Sequence, residues 1–144
     1  MKITISKLEK LGACSSARLW FENFYPKGAT LNKKNISACP DKKWVCWLAC
    51  KLSQDYRFWC AGIAFREAGK IHSGLLVYSM NVNESNWREA RSAADAAAAA
   101  DAAAAAYVVA YAVGAYAADA ADAADAAAWD EMYLEAVKIL VSLK

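Results

Sequence analysis

The chain has one histidine, His72, with two prolines and six glycines among 144 residues. So few turn-forming residues leave little room for tight hairpins, which excludes an all-β chain. The lone histidine stands beside Ser73, with no Ser/His/Asp order around it. No His-Glu-x-x-His pair, phosphate-binding glycine loop or G-x-G-x-x-G run occurs. A Cys–His nucleophile would need one of five thiols beside His72, and no spacing singles one out. The carboxylates of the alanine-rich C-terminal half sit on open helix surface, where no burial raises a pKa for acid work. The sequence therefore reads as a non-enzyme with no catalytic residue and no cofactor. Met1 to Glu9 alternates charged with apolar residues and lacks a continuous apolar run, so no secretory leader is expected there.

Basic residues are missing from a long stretch: none lies between Ser92 and Val137. The overall charge of +2 hides this asymmetry. Residues 1–91 carry 15 Lys/Arg against 7 Asp/Glu, a net of +8, while residues 92–144 carry 2 Lys against 8 Asp/Glu, a net of −6. Two halves with fields of opposite sign point to a macromolecular partner. The five cysteines (Cys14, Cys39, Cys46, Cys50, Cys60) are an odd number and read as reduced, buried thiols of a cytosolic (cytoplasmic) protein. Cys46 and Cys50 lie four apart on a predicted helix and could offer two thiolates to a metal. With only His72 as a nitrogen ligand and no second pair at zinc spacing, no metal site is expected.

What is present is helix. Ser6-Lys-Leu-Glu9 has the form of a capping box, and Gly12 ends the first short helix. Ser15 or Ser16 caps a second, through Phe24, with Leu19, Trp20, Phe24 and Phe21 as candidates for its inner face; Pro26 and Gly28 stop it. Asp41 caps a third, with Trp44, Trp47, Leu48 and Leu52 along one face. A fourth runs from about Asp55 to Ala68, with Phe58, Trp59, Ile63 and Phe65 apolar, and Gly69 closes it. Gly74 to Val82 has strand-like composition but no strand to pair with, and reads as a linker or short helix.

From Ser85 or Asn86 the composition turns to alanine, the best helix former. The predicted fold is all-α: an N-terminal bundle of short helices, then two long Ala-rich helical segments, a hairpin or bent pair about Gly114. Two parts are expected, a basic aromatic-rich domain over 1–84 and an acidic segment over 85–144 that docks back on it. The docking face is the stripe Trp129, Met132, Tyr133, Ala136, Val137 and Leu140. Seventeen uncharged residues between Asp101 and Asp119 reach the lower edge of a membrane span. Alanine inserts poorly, the flanks are acidic and three tyrosines interrupt the run, so a packed helix is expected instead.

The aspartates carry the candidate site. On one continuous helix at about 100° per residue, Asp101, Asp119, Asp122, Asp125 and Asp130 share a face about 140° wide. From Asp119 to Glu131 the carboxylates recur about every 3.6 Å, beside a phosphate spacing of about 3.4 Å along a DNA strand. Such a face fits a basic groove built for nucleic acid; the plainer reading, which charged helix faces usually bear, is that the aspartates only keep an alanine helix soluble. In the basic half, Lys33, Lys34, Lys42 and Lys43 flank tryptophans and are the alternative, a nucleic-acid-binding patch.

The blocks ACSSARLWFENFYPKG, DKKWVCWLACKL and YRFWCAGIAF resemble small proteins of phages, prophages and other mobile elements. Those carry an AC-x5-WF-x3-F-P-x-G block, a D-x-x-W-x-x-WL block and a C-terminal tract rich in Ala-Ala-x; some are labelled immunity proteins. The resemblance covers most of the chain, with Tyr25 before Pro26 and the basic Lys42-Lys43 as departures. It implies a mobile-element origin and an anti-CRISPR-like inhibitor. The expected partner is a host protein, a subunit of a CRISPR effector complex at its nucleic-acid site, without direct nucleic-acid binding and without a membrane. A repressor using the basic half and an immunity protein that neutralises a toxin are the alternatives.

Overall fold

A computed structural model describes residues 1–69, 73–79, 82–100 and 126–143. In chain order these form β1 (Lys2–Ile3), α1 (Ile5–Lys10), α2 (Ser15–Phe24), β2 (Ala29–Thr30), α3 (Lys33–Ser37), α4 (Lys42–Leu52) and α5 (Gln54–Ala68). A 3-10 helix (Ser73–Tyr78), α6 (Trp87–Ala100) and α7 (Ala126–Ser142) follow. The fold is all-α. Its one sheet among the described residues is a two-residue antiparallel pairing that sets Lys2 against Thr30 and Ile3 against Ala29. Gly114 and the turn expected there lie outside the described residues.

The small sheet corrects the first helix start. Pairing extends the backbone as far as Thr4, so Thr4 caps α1 and its hydroxyl accepts from the Lys7 amide at 3.3 Å. Ser6 is already inside the helix and makes no capping box. At the other end the Ala13 amide donates to the Leu8 carbonyl and the Gly12 amide to that of Glu9. This Schellman closure needs the left-handed φ of +81° that Gly12 supplies. Gly28 has φ +82°, and a Cβ there would stand 2.7 Å from the Ile3 carbonyl, so glycine permits the β1–β2 approach.

The short helix α3 was not read from the sequence. Asn32 caps it by accepting from the Asn35 amide at 2.9 Å, and Ile36 is its buried residue. In α2 the inner face is also different from the expected one. Phe21 is buried, whereas Leu19 is 62% and Phe24 66% exposed. Phe24 lies outside and stacks on Trp20 at 5.4 Å between ring centroids, covering that ring from solvent. Asp41 does cap α4, accepting from the Lys43 amide at 2.8 Å. The buried stripe of α4 is Val45, Cys46 and Ala49, with Trp47 and Leu48 on its flanks. Small side chains at the seam let a neighbouring helix come close, and the larger ones close over its edges.

That neighbour is α7, which packs mainly on α4 and also meets α3 and α5. Ala128, Met132, Ala136 and Leu140 recur every fourth residue and are buried. Tyr133 and Val137 flank them, as does Trp129, which is only half-buried. Helix α5 lies between two apolar clusters. Tyr56, Cys60, Ile63 and Ala64 join the main core, while Phe65 joins Leu75 and Ala90, where the 3-10 helix and α6 pack. The Asn86 carbonyl accepts from the Ala90 amide at 3.0 Å, which starts α6 where the capping residues predict it.

Truncating Leu140 or Met132 to alanine should cost about 2–5 kcal/mol in urea unfolding. Trp129→Ala should cost less than the about 3–5 kcal/mol of a fully buried ring. Leu134, 61% exposed on the opposite face, should change stability by about 0.5 kcal/mol or less when truncated.

Candidate functional site

The acidic end of the candidate face opens α7. Asp130 and Glu131 follow the first turn, beside the apolar stripe, where side chains of a neighbouring helix can reach them. Lys42 Nζ lies 2.6 Å from Asp130 Oδ1. Arg66 grips Glu131 with both terminal nitrogens, at 2.8 and 3.4 Å. Two basic residues from separate helices therefore sit on two successive carboxylates. Asp130 raises the pKa of Lys42, through their hydrogen bond first and its charge second. The same ammonium stands 5.5 Å from the centre of the Tyr133 ring, one turn along α7.

These pairs are solvent-exposed, and their electrostatic contribution is screened. For Arg66 and Glu131, 43% and 45% exposed, a contribution of about 0.2–1 kcal/mol is the expected scale. The stronger tie lies beneath them. Tyr56 Oη donates to the main-chain carbonyl of Met132 at 2.8 Å, inside the core. Burial first, and the neighbouring Cys60 and Cys46 next, push the Tyr56 pKa well up, so the phenol keeps its proton and remains a donor. At the far end of α7 the Met1 ammonium donates to the Leu143 carbonyl at 2.8 Å, a cation placed at a helix C-terminus.

Of the six acidic residues expected to meet a partner, Asp130 and Glu131 are thus engaged by the chain's own bases. Asp101, Asp119, Asp122 and Asp125 lie outside the described residues, as does His72. Of the alternative basic set, Lys42 is taken up by Asp130, whereas Lys33 and Lys34 open α3 exposed to solvent. Lys43, the second residue of α4, is half-buried. Among the described residues no group of three or more His, Cys, Asp or Glu is placed to hold a metal ion. No helix among them is long and apolar enough to cross a membrane.

Sequence reasoning passed over Arg66 and Tyr56. Both act on a helix more than sixty positions away, and periodicity speaks only of a helix's own faces. The one local signal was Arg66 in the last turn of α5, next to Phe65.

A double-mutant cycle on Arg66→Met and Glu131→Gln should return a coupling of about 0.2–1 kcal/mol that shrinks with added salt. Tyr56→Phe should lower unfolding free energy by about 0.5–1.5 kcal/mol, with little salt dependence.

No family model, curated protein or solved structure matches this chain.

Proposed function

We propose that the protein is a non-enzymatic inhibitor from a phage or mobile element that blocks a host defence complex in the bacterial cytoplasm, in the manner of an anti-CRISPR protein. It binds a protein subunit at a site that normally holds DNA or RNA. The contact is an acidic helical face centred on Asp119, Asp122 and Asp125, extended by Asp101. Charge segregation carries this reading: no basic residue interrupts the chain from Ser92 to Val137. Asp130 and Glu131, paired within the chain with Lys42 and Arg66, are less available to a partner, so the contact is assigned to the other four aspartates. The same two pairs help to seat α7. Lys42, held by Asp130, is correspondingly less available to a phosphate, which disfavours direct nucleic-acid binding through the basic half.

Binding to purified CRISPR effector complexes, followed by competition with their nucleic acid, tests the reading. Replacing Asp119, Asp122 and Asp125 together by Asn should weaken binding by about tenfold or more, most at low salt, where charge steers association. Helicity should hold, because Asn and Asp have similar propensities. Undiminished inhibition by the triple variant at every salt concentration would leave the aspartates as a solubilising face. A mobility shift with DNA or RNA that collapses with salt, and is lost on changing Lys33 and Lys34, would favour the repressor reading. Capture of a toxin as the partner would favour an immunity protein. His72→Ala should leave inhibition unchanged.

A further inference from the structure

The small sheet, α2, α3 and α4 do not close completely over the core. They leave a cavity of about 80 Å³, into which α7 contributes Leu140. Buried residues such as Ile3, Phe21, Ile36 and Val45 line its inner part. Half-buried Trp20, Tyr25, Trp44 and Asn35 line it nearer to solvent, at its mouth. The rings there brace one another. The Trp20 centroid lies 5.8 Å from that of Tyr25 and 6.3 Å from that of Trp44, with Phe24 stacked on it at 5.4 Å. Stiff side chains fixed in this way do not swing inward to fill a gap, as a flexible aliphatic chain would.

The lining specifies what the cavity can hold. No Lys, Arg, His, Asp or Glu is part of it. A charged guest would lose its hydration there and gain no counter-charge, so the guest is neutral. One water needs about 10–15 Å³, and an engineered apolar cavity of about 150 Å³ stays dry and takes up benzene. A space of about 80 Å³, open at one side, therefore suits a single aromatic ring with a substituent at the mouth. Asn35 supplies the one fixed polar group. Its side-chain nitrogen donates to the Thr30 carbonyl at 2.9 Å, and its backbone amide donates to Asn32 Oδ1 at 2.9 Å. The amide oxygen of Asn35 receives no hydrogen bond among the described residues and is left as an acceptor.

We propose that this cavity is a binding site for a neutral, single-ring aromatic molecule carrying one hydrogen-bond donor, of the phenol class. The ring packs among Trp20, Trp44, Phe21 and Leu140, and its hydroxyl remains at the mouth and donates to Asn35 Oδ1. Because Leu140 belongs to α7, occupancy adds contacts between that helix and the N-terminal bundle. A guest that binds only the closed bundle stabilises it by mass action. The site contains none of the acidic residues and does not depend on the inhibitor reading.

Phenol titrated into the full chain, followed through methyl and indole NMR signals, tests this. The shifts should saturate with a dissociation constant of about 1 mM or tighter, the scale for a ligand this small. They should be confined to Ile3, Ile36, Val45, Leu140 and the indoles of Trp20 and Trp44, with the exposed Leu134 and Val77 unmoved. Asn35→Leu should weaken phenol by about threefold to tenfold while leaving toluene, which lacks the hydroxyl, within about twofold. Ala17→Leu puts a larger side chain on the cavity wall and should weaken both by about tenfold or more, with the circular dichroism of the parent. Saturating phenol should raise the Tm of the parent and not that of Ala17→Leu. Shifts that grow linearly to about 10 mM phenol, or that appear equally at Leu134 and Val77, would overturn the proposal. So would equal losses of phenol and toluene in Asn35→Leu. Shifts at Trp20 and Trp44 that follow protein concentration without phenol would assign the mouth to a second copy of the chain and overturn it as well.

Discussion

The seam between α4 and α7 is built on alanine, and the arrangement of the bundle depends on it. Ala49 on one helix and Ala136 on the other are completely buried. A side chain of one carbon lets backbones approach closely, and the larger residues around it fill the space that the approach creates. Met132 and Leu140 do this from α7, with Trp47 and Leu48 on the α4 side of the seam. A close-packed interior resists any change in such spacing, because one added methylene must displace its neighbours. Tyr56 reaches the Met132 carbonyl only while the seam stays closed, and Lys42 and Arg66 find their carboxylates by the same condition.

That dependence links packing to charge. The basic half and the acidic half of the sequence meet where α7 lies on α4 and α5, and the contact is apolar in the middle and ionic at its edge. The core sets the position of Asp130 and Glu131, and the screened pairs then favour one register of α7 over its neighbours.

What could be read in the sequence was local and periodic. The Asp41 cap, the Gly12 stop, the start of α6 at Asn86 and the stripe from Met132 to Leu140 are all written within a turn or two of the residues concerned. What escaped was set by distant partners. Thr4 displaced Ser6 as a cap because β2 holds the preceding residues extended. Leu19 and Phe24 turned outward because Phe21 took the inner position and Phe24 served as a cover for Trp20. In α4 the tryptophans drew attention as the largest apolar residues, yet the buried line runs through Val45, Cys46 and Ala49. Hydrophobic size marks which residues avoid water; it does not say where two helices must come close. For the candidate site, charge segregation was legible from composition, while the engagement of Asp130 and Glu131 required knowing which helices α7 would meet.

Native-state hydrogen exchange across a denaturant series tests the central claim most directly. Helices locked through a shared seam open together, so the amides of Ala49 in α4 and of Ala136 and Leu140 in α7 should exchange with one free energy, equal to that of global unfolding. Exchange of the α7 amides at a distinctly lower free energy, with α4 still protected, would show α7 to be a detachable appendage and contradict the account.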